Sequence, residues 1–156
     1  MSTLTLGMDS PVLPMVLPRE PSAVREEQIR VSVQLALSFH AHGPRRQERR
    51  RSPRQLFPHP VQLTPLGRDQ RPLVDATIVV IGRHLSEHGL DFYHHVPVPF
   101  RRAVLSIPTE GDEWISLLFE LFWTRYNCQA CYDHGGKFLA VVPALCLPHL
   151  YGPQSA

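Results

Sequence analysis

The chain has 156 residues, of which 43% are hydrophobic, and this is enough for one compact core but not comfortably for two. Its 16 prolines and 9 glycines argue against long unbroken helices and favour short strands joined by turns. The formal net charge is only +2, yet Lys137 is the only lysine, so arginine carries almost all of the positive charge.

The two ends of the chain show no targeting or membrane pattern. The first twenty residues lack a basic start followed by an apolar run, and the apolar stretch from Phe138 to Tyr151 is short and contains prolines. Three cysteines, an odd number, argue against a disulfide framework and agree with a reducing compartment. We therefore expect a soluble, cytoplasmic protein without a membrane span.

The first 44 residues are predicted to precede the core. Residues 1–22 show no sustained period and are predicted to be a flexible leader. In 23–44 two patterns compete, because every second residue from Ile29 to Leu37 is apolar, as in a strand, whereas Ser22 followed by Glu26 and Glu27 is typical of a helix start. Helix-tolerant side chains such as Gln28 favour a short helix, followed by a linker.

Residues 45–142 are predicted to form the folded domain, with a tail at 143–156. It begins with an arginine-rich arm, in which six arginines lie within ten positions, and continues with short apolar runs separated by turn residues. These runs predict six strands, near 57–64, 75–83, 89–94, 100–107, 114–125 and 131–140. Closing six antiparallel strands into a β-barrel would remove the exposed sheet edges, so the fold class is predicted to be mainly β. The strand that holds Trp114, Phe122 and Trp123 is predicted to lie mainly in the core, although one of its aromatic rings could instead face a ligand.

Two short motifs stand in a fixed order. The arm contains Arg50-Arg51-Ser52-Pro53-Arg54, an RxxxR spacing, and about thirty residues later His84-Leu85-Ser86-Glu87-His88-Gly89 ends in SxxG. An arginine fork can bond the O6 and N7 acceptors of guanine, stack on the purine or pair with phosphate. Glycine lets the backbone approach a ligand, and serine shapes the turn and offers a hydroxyl.

With these motifs the sequence resembles the PilZ domain family, whose signatures are RxxxR before the first strand and [D/N]xSxxG where one strand turns into the next. The similarity covers residues 45–142 and includes the strand from Ala76 to Gly82 and the segment from Tyr132 to Phe138. The stretch from Gly82 to His94 looks especially like PilZ-type proteins of bacteria with high G+C genomes.

The resemblance implies a receptor for cyclic di-GMP, without other cofactor, that signals to a protein partner. Carried over residue by residue, it implies ligand contacts from Arg50, Arg54, His84, Ser86 and Gly89. Secondary ligand-binding residues would be Arg49 and Arg51 on the same arm. His84 departs from the pattern, since a neutral imidazole offers at most one acceptor where the Asp or Asn of the family accepts from guanine.

Other interpretations stay open. One alternative is a degenerate PilZ barrel that serves as a nucleotide-independent protein interaction module. Another is a nucleic-acid-binding barrel that uses the same arm without sequence specificity. The Cys128-Gln129-Ala130-Cys131 segment, with His134 and the later Cys146 or His149, has a spacing that could supply zinc ligands. The histidines at 84, 88, 94 and 95 form a second cluster of this kind, but a metal site is not predicted at either place. No set of nucleophile, base and oxyanion donor is evident, so an enzyme is not predicted.

Overall fold

A computed structural model describes residues 14, 15, 17, 19–40, 54–127 and 130–145. The predicted ligand-binding residues Arg49, Arg50 and Arg51 lie outside the described residues, and so do Cys128 and Cys146. The same is true of most of the predicted leader, the first nine residues of the arm and most of the tail.

The described chain contains one α-helix, seven strands and one 3-10 turn. The helix α1 is Ser22–His40, and the 3-10 turn is Val74–Ala76. The strands are β1 (Gln55–Leu56), β2 (Pro60–Pro65), β3 (Ile78–Leu85), β4 (Gly89–His94), β5 (Arg102–Pro108), β6 (Trp114–Asn127) and β7 (Cys131–Val142). All six predicted strands are confirmed, and the two-residue β1 is an additional one.

Six strands close into an antiparallel barrel. Their order around the barrel is β3, β2, β5, β6, β7 and β4, and β4 returns to pair with β3. The strand β1 lies outside this ring and pairs antiparallel with the end of β3. The predicted mainly β fold, a six-stranded antiparallel barrel with a helix before it, is therefore confirmed.

The barrel interior holds the larger of two apolar clusters. Its fully buried side chains include Phe57, Leu63, Leu85, Phe92, Leu105, Leu117 and Phe119. A smaller cluster, which includes Met15, Val104 and Leu118, uses the opposite faces of β5 and β6. Burial on both faces explains why apolar residues are consecutive rather than alternating in parts of these two strands, at Ala103–Leu105 in β5 and Leu117–Phe119 in β6.

The residues from 23 to 40, whose sequence fits both a strand and a helix, form a helix. Ile29, Val33, Ala36 and Leu37 are buried at helical spacing and join the barrel core cluster, whereas Val31 and Leu35 are more than half exposed. The alternating apolar pattern therefore does not mark a strand face. Packing against the barrel selects the 3.6-residue period, because only that period brings these four side chains to one side.

The prediction that the aromatic strand lies mainly in the core is wrong for its second half. Phe122 is 53% exposed and Trp123 is 39% exposed, although Leu117 and Phe119 are fully buried. The register shifts between Leu121 and Trp123, so that Phe122 is an extra residue in β6. An extra residue reverses the faces of all that follow, and this β-bulge turns Trp123 out of the barrel.

Candidate functional site

An open cleft lies on the outside of the barrel, where the turn between β3 and β4 meets β7. Its volume is about 130 Å³, and it brings together four residues that the sequence motifs predicted: Arg54, His84, Ser86 and Gly89. The remaining polar or aromatic side chains in its lining are His88, Asp91, Trp123 and Lys137. Residues that are thirty or more positions apart thus share one surface.

Strand β1 places Arg54 in the cleft. Gln55 pairs with Leu85 and Leu56 pairs with His84, so the antiparallel register brings Arg54, one position earlier, to the level of Ser86. The main chain fixes this placement, because β1 is hydrogen-bonded to β3. The Arg54 side chain itself is exposed. The last arginine of the RxxxR motif and the serine of the SxxG motif are therefore neighbours.

The turn that carries Ser86 is fixed by three hydrogen bonds. The Ser86 N–H donates to the carbonyl of Gly89 at 3.0 Å, and the Ser86 hydroxyl oxygen accepts from the N–H of His88 at 3.1 Å. The N–H of Phe138 in β7 donates to the carbonyl of His88 at 2.8 Å. The hydroxyl proton of Ser86 is not used in these bonds and can be donated to a ligand.

Gly89 lies in the cleft, but strand packing also requires a glycine there. A Cβ at this position would lie 2.0 Å from the carbonyl oxygen of Gly136 and 2.9 Å from the Cα of Lys137. Both distances are to backbone atoms, which cannot move aside without displacing β7. Strand packing alone therefore requires a glycine at this position of the SxxG motif, whether or not a ligand binds.

The His84 side chain is held by Asp91 on the neighbouring strand. The His84 N–H donates to Asp91 Oδ1 at 2.8 Å, and His84 Nδ1 lies 3.2 Å from Asp91 Oδ2. Because a carboxylate only accepts hydrogen bonds, Nδ1 carries the proton in this contact and the neutral ring keeps Nε2 as its acceptor. The sequence motifs did not indicate Asp91, although strand alternation after Gly89 puts it on the same face.

Trp123 forms an aromatic wall of the cleft and lies against the backbone of Gly135. The Arg125 guanidinium lies 5.1 Å from the Trp123 ring centroid, which is within cation–π range. The neighbouring Phe122 is contacted by the Lys137 ammonium at 5.3 Å. This end of β6 therefore presents two aromatic rings, each with a cation close to it.

The described residues do not gather into a metal site. No group of three or more His, Cys, Asp or Glu side chains that could hold a metal ion occurs in the part of the chain that the structure describes. The rings of His94 and His95 are 4.5 Å apart, and burial, followed by the charge of His95, lowers the pKa of His94. Cys131 has a free, half-buried thiol.

These features define a small closed antiparallel β-barrel with a polar and aromatic cleft on its outer surface. No family model matches the sequence, and no curated protein matches it. Among solved structures, the Bacillus subtilis inhibitor of motility MotI/DgrA is similar, with a TM-score of 0.46 and 14% sequence identity over 63% of this chain. The match covers 46% of that protein, so it spans less than half of its length. Within the described ranges no helix is long and apolar enough to cross a membrane.

Proposed function

We propose that the protein is a PilZ-type receptor in the cytoplasm that binds cyclic di-GMP in the cleft and relays binding to a protein partner without catalysing a reaction. The observation that carries this proposal is that Arg54, Ser86 and Gly89, from two separate motifs, line the same cleft. Their order in the sequence is that of the PilZ signatures, and the closed barrel is the fold that this resemblance implies.

The chemistry of the cleft suits a guanine dinucleotide. Arg54 can bond a guanine edge or a phosphate in bidentate fashion, the Ser86 hydroxyl can donate, and Lys137 adds a second cation. The partly exposed Trp123 offers an aromatic face on which a base can stack, a contact worth about 1–3 kcal/mol per base. The cleft therefore combines donors for phosphate, donors for the guanine edge and a stacking surface.

The cleft formed by the described residues is small, and in this proposal the arginine-rich arm completes the binding site. A volume of about 130 Å³ is smaller than the roughly 300–1,000 Å³ that is usual for small-molecule sites. Arg50, with Arg49 and Arg51 as secondary contacts, precedes Arg54 by only a few residues. In this proposal these arginines cover the ligand, and their contacts with it change the surface that a partner meets.

The test is isothermal titration calorimetry of the protein with cyclic di-GMP, compared with the double variant Arg50→Ala/Arg54→Ala. A matched control replaces two arginines of the loop after β2, Arg68→Ala/Arg71→Ala, and so removes the same charge elsewhere. Saturable binding that only the arm variant abolishes is the expected result. Absence of binding by the wild-type protein at saturating dinucleotide would rule the proposal out.

A second function, a nucleotide-independent interaction module, is favoured by two observations. His84 replaces the Asp or Asn of the family pattern and is already engaged by Asp91. The outer side of α1 also exposes four large apolar side chains, namely Val24, Val31, Leu35 and Phe39, which a protein partner could cover. Dinucleotide binding by His84→Asp but not by the wild-type protein would favour this function.

A further inference from the structure

We infer that Asp91 is the residue that selects guanine in the cleft, and that His84 positions it; this inference rests on the proposed function. Among the described residues that line the cleft, Asp91 is the one carboxylate. A carboxylate at this place matters because the base edge of guanine carries N1–H and N2–H donors, which two carboxylate oxygens can accept together.

The carboxylate reaches the cleft from β4 rather than from the turn motif. His84 in β3 is the cross-strand partner of Asp91, so the two side chains lie on the same outer face of the barrel. Position 84 would hold an acidic or amide side chain in the family pattern, and here the neighbouring strand provides the acidic group instead. The acceptor in the cleft therefore lies directly across the strand pair from position 84.

The contacts of Asp91 fix its orientation and leave it able to bind a ligand. Each oxygen accepts one hydrogen bond from His84, at 2.8 Å from the main-chain N–H and at 3.2 Å from Nδ1. A carboxylate has about four lone-pair sites, so about two remain for donors from a base. The side chain is 14% exposed, which indicates a pre-oriented group at the edge of the cleft.

Selectivity for guanine follows from the two acceptor oxygens of the Asp91 carboxylate. An Asn at position 91 would keep an oxygen for the His84 N–H but would present an amide N–H₂ toward one guanine donor. A base that lacks the exocyclic 2-amino group, such as hypoxanthine, would lose one of the two hydrogen bonds. The carboxylate should therefore distinguish cyclic di-GMP from cyclic di-IMP, its inosine analogue.

The experiment measures the dissociation constants of both dinucleotides for the full-length wild-type protein, for Asp91→Asn and for Asp133→Asn. Asp133 is a matched control, because its carboxylate is 13% exposed and bonds Arg83 at 3.3 Å, away from the lining of the cleft. Thermal unfolding of each variant checks the fold. If Asp91→Asn does not fold, Asp91→Ser, which keeps one oxygen acceptor, takes its place.

We expect the wild-type protein and Asp133→Asn to prefer cyclic di-GMP by about tenfold or more, and the Asp91 variant to lose this preference. Equal affinity of the wild-type protein for the two dinucleotides, or an unchanged preference in the folded Asp91 variant, would overturn the role of Asp91 and leave the receptor function standing. Failure of the wild-type protein to bind either dinucleotide would overturn both.

Discussion

The indole ring of Trp123 in β6 lies directly against the backbone of Gly135 in β7: a Cβ on Gly135 would be 2.3 Å from Trp123 Cε2. The two residues are also cross-strand partners, immediately after the bulge at Phe122. The glycine therefore makes room for the ring that forms the aromatic wall of the cleft.

Gly135→Ala is expected to displace the Trp123 ring and to weaken cyclic di-GMP binding. Because the atoms in the way belong to a partly exposed side chain that can move, the loss of stability should be small. Calorimetry and thermal unfolding on the same samples separate the two effects. Trp123→Ala should weaken binding to a similar degree, and unaltered affinity in both variants would show that the ring does not contact the ligand.

Gly136→Ala is expected to destabilise the barrel itself. A Cβ there would lie 2.3 Å from the carbonyl oxygen of Glu120 and 2.5 Å from Cζ of the buried Phe119, so main chain and core must shift. Overpacking of this kind costs about 1–3 kcal/mol in the free energy of unfolding, measurable by urea denaturation. Gly111→Asn is the control, because space around Gly111 is open and asparagine tolerates its φ of +65°. A Gly136 variant as stable as that control would contradict the close packing.

The buried imidazole of His134 should make the protein less stable in mild acid. Its Nε2 accepts from the N–H of Val98 at 3.0 Å, and its ring stacks on Phe92 at 4.9 Å. Burial, followed by the charge of His94, lowers the pKa of His134 below its ordinary value of about 6.5. The folded protein thus favours the neutral ring, while the unfolded chain takes up a proton as the pH falls below about 6.5.

The stabilising effect of neutral His134 is therefore fully present above pH ~6.5 and is lost as the pH falls from there toward the lowered pKa, with a slope of at most about 1.4 kcal/mol per pH unit. His134→Gln, which keeps an acceptor for Val98, should reduce this slope in urea titrations between pH 5 and pH 7, values chosen to bracket ~6.5. His88→Gln, at a largely exposed side chain, is the control. Identical slopes in the wild-type protein and His134→Gln would contradict the assignment.

Arg54→Lys should weaken cyclic di-GMP binding although it keeps the charge. Lysine cannot provide two parallel donors to a guanine edge or a phosphate, and a bidentate contact is worth about 1–3 kcal/mol. The variant Arg68→Lys, at an exposed arginine outside the cleft, should bind like the wild-type protein in calorimetry. Full affinity in Arg54→Lys would mean that Arg54 acts only through its charge.

The sequence alone was sufficient for the order and approximate bounds of the six barrel strands. Short apolar runs between turn residues are a local signal for strands, and pairing between strands did not change which segments are extended. The resemblance to the PilZ family implied that Arg54 and Ser86 would contact the same ligand, and both residues line the cleft. That they line one cleft is a consequence of β1, which is too short to be predicted from its own two residues.

Tertiary structure decided what local patterns left open. The apolar alternation at 29–37 became a helix because only helical spacing brings Ile29 and Val33 together against the barrel. Trp123 faces outward because one extra residue in β6 reverses the strand faces, and a bulge depends on the partner strand rather than on local composition. Asp91 lies beside His84 because antiparallel register, which is set across strands, makes them partners.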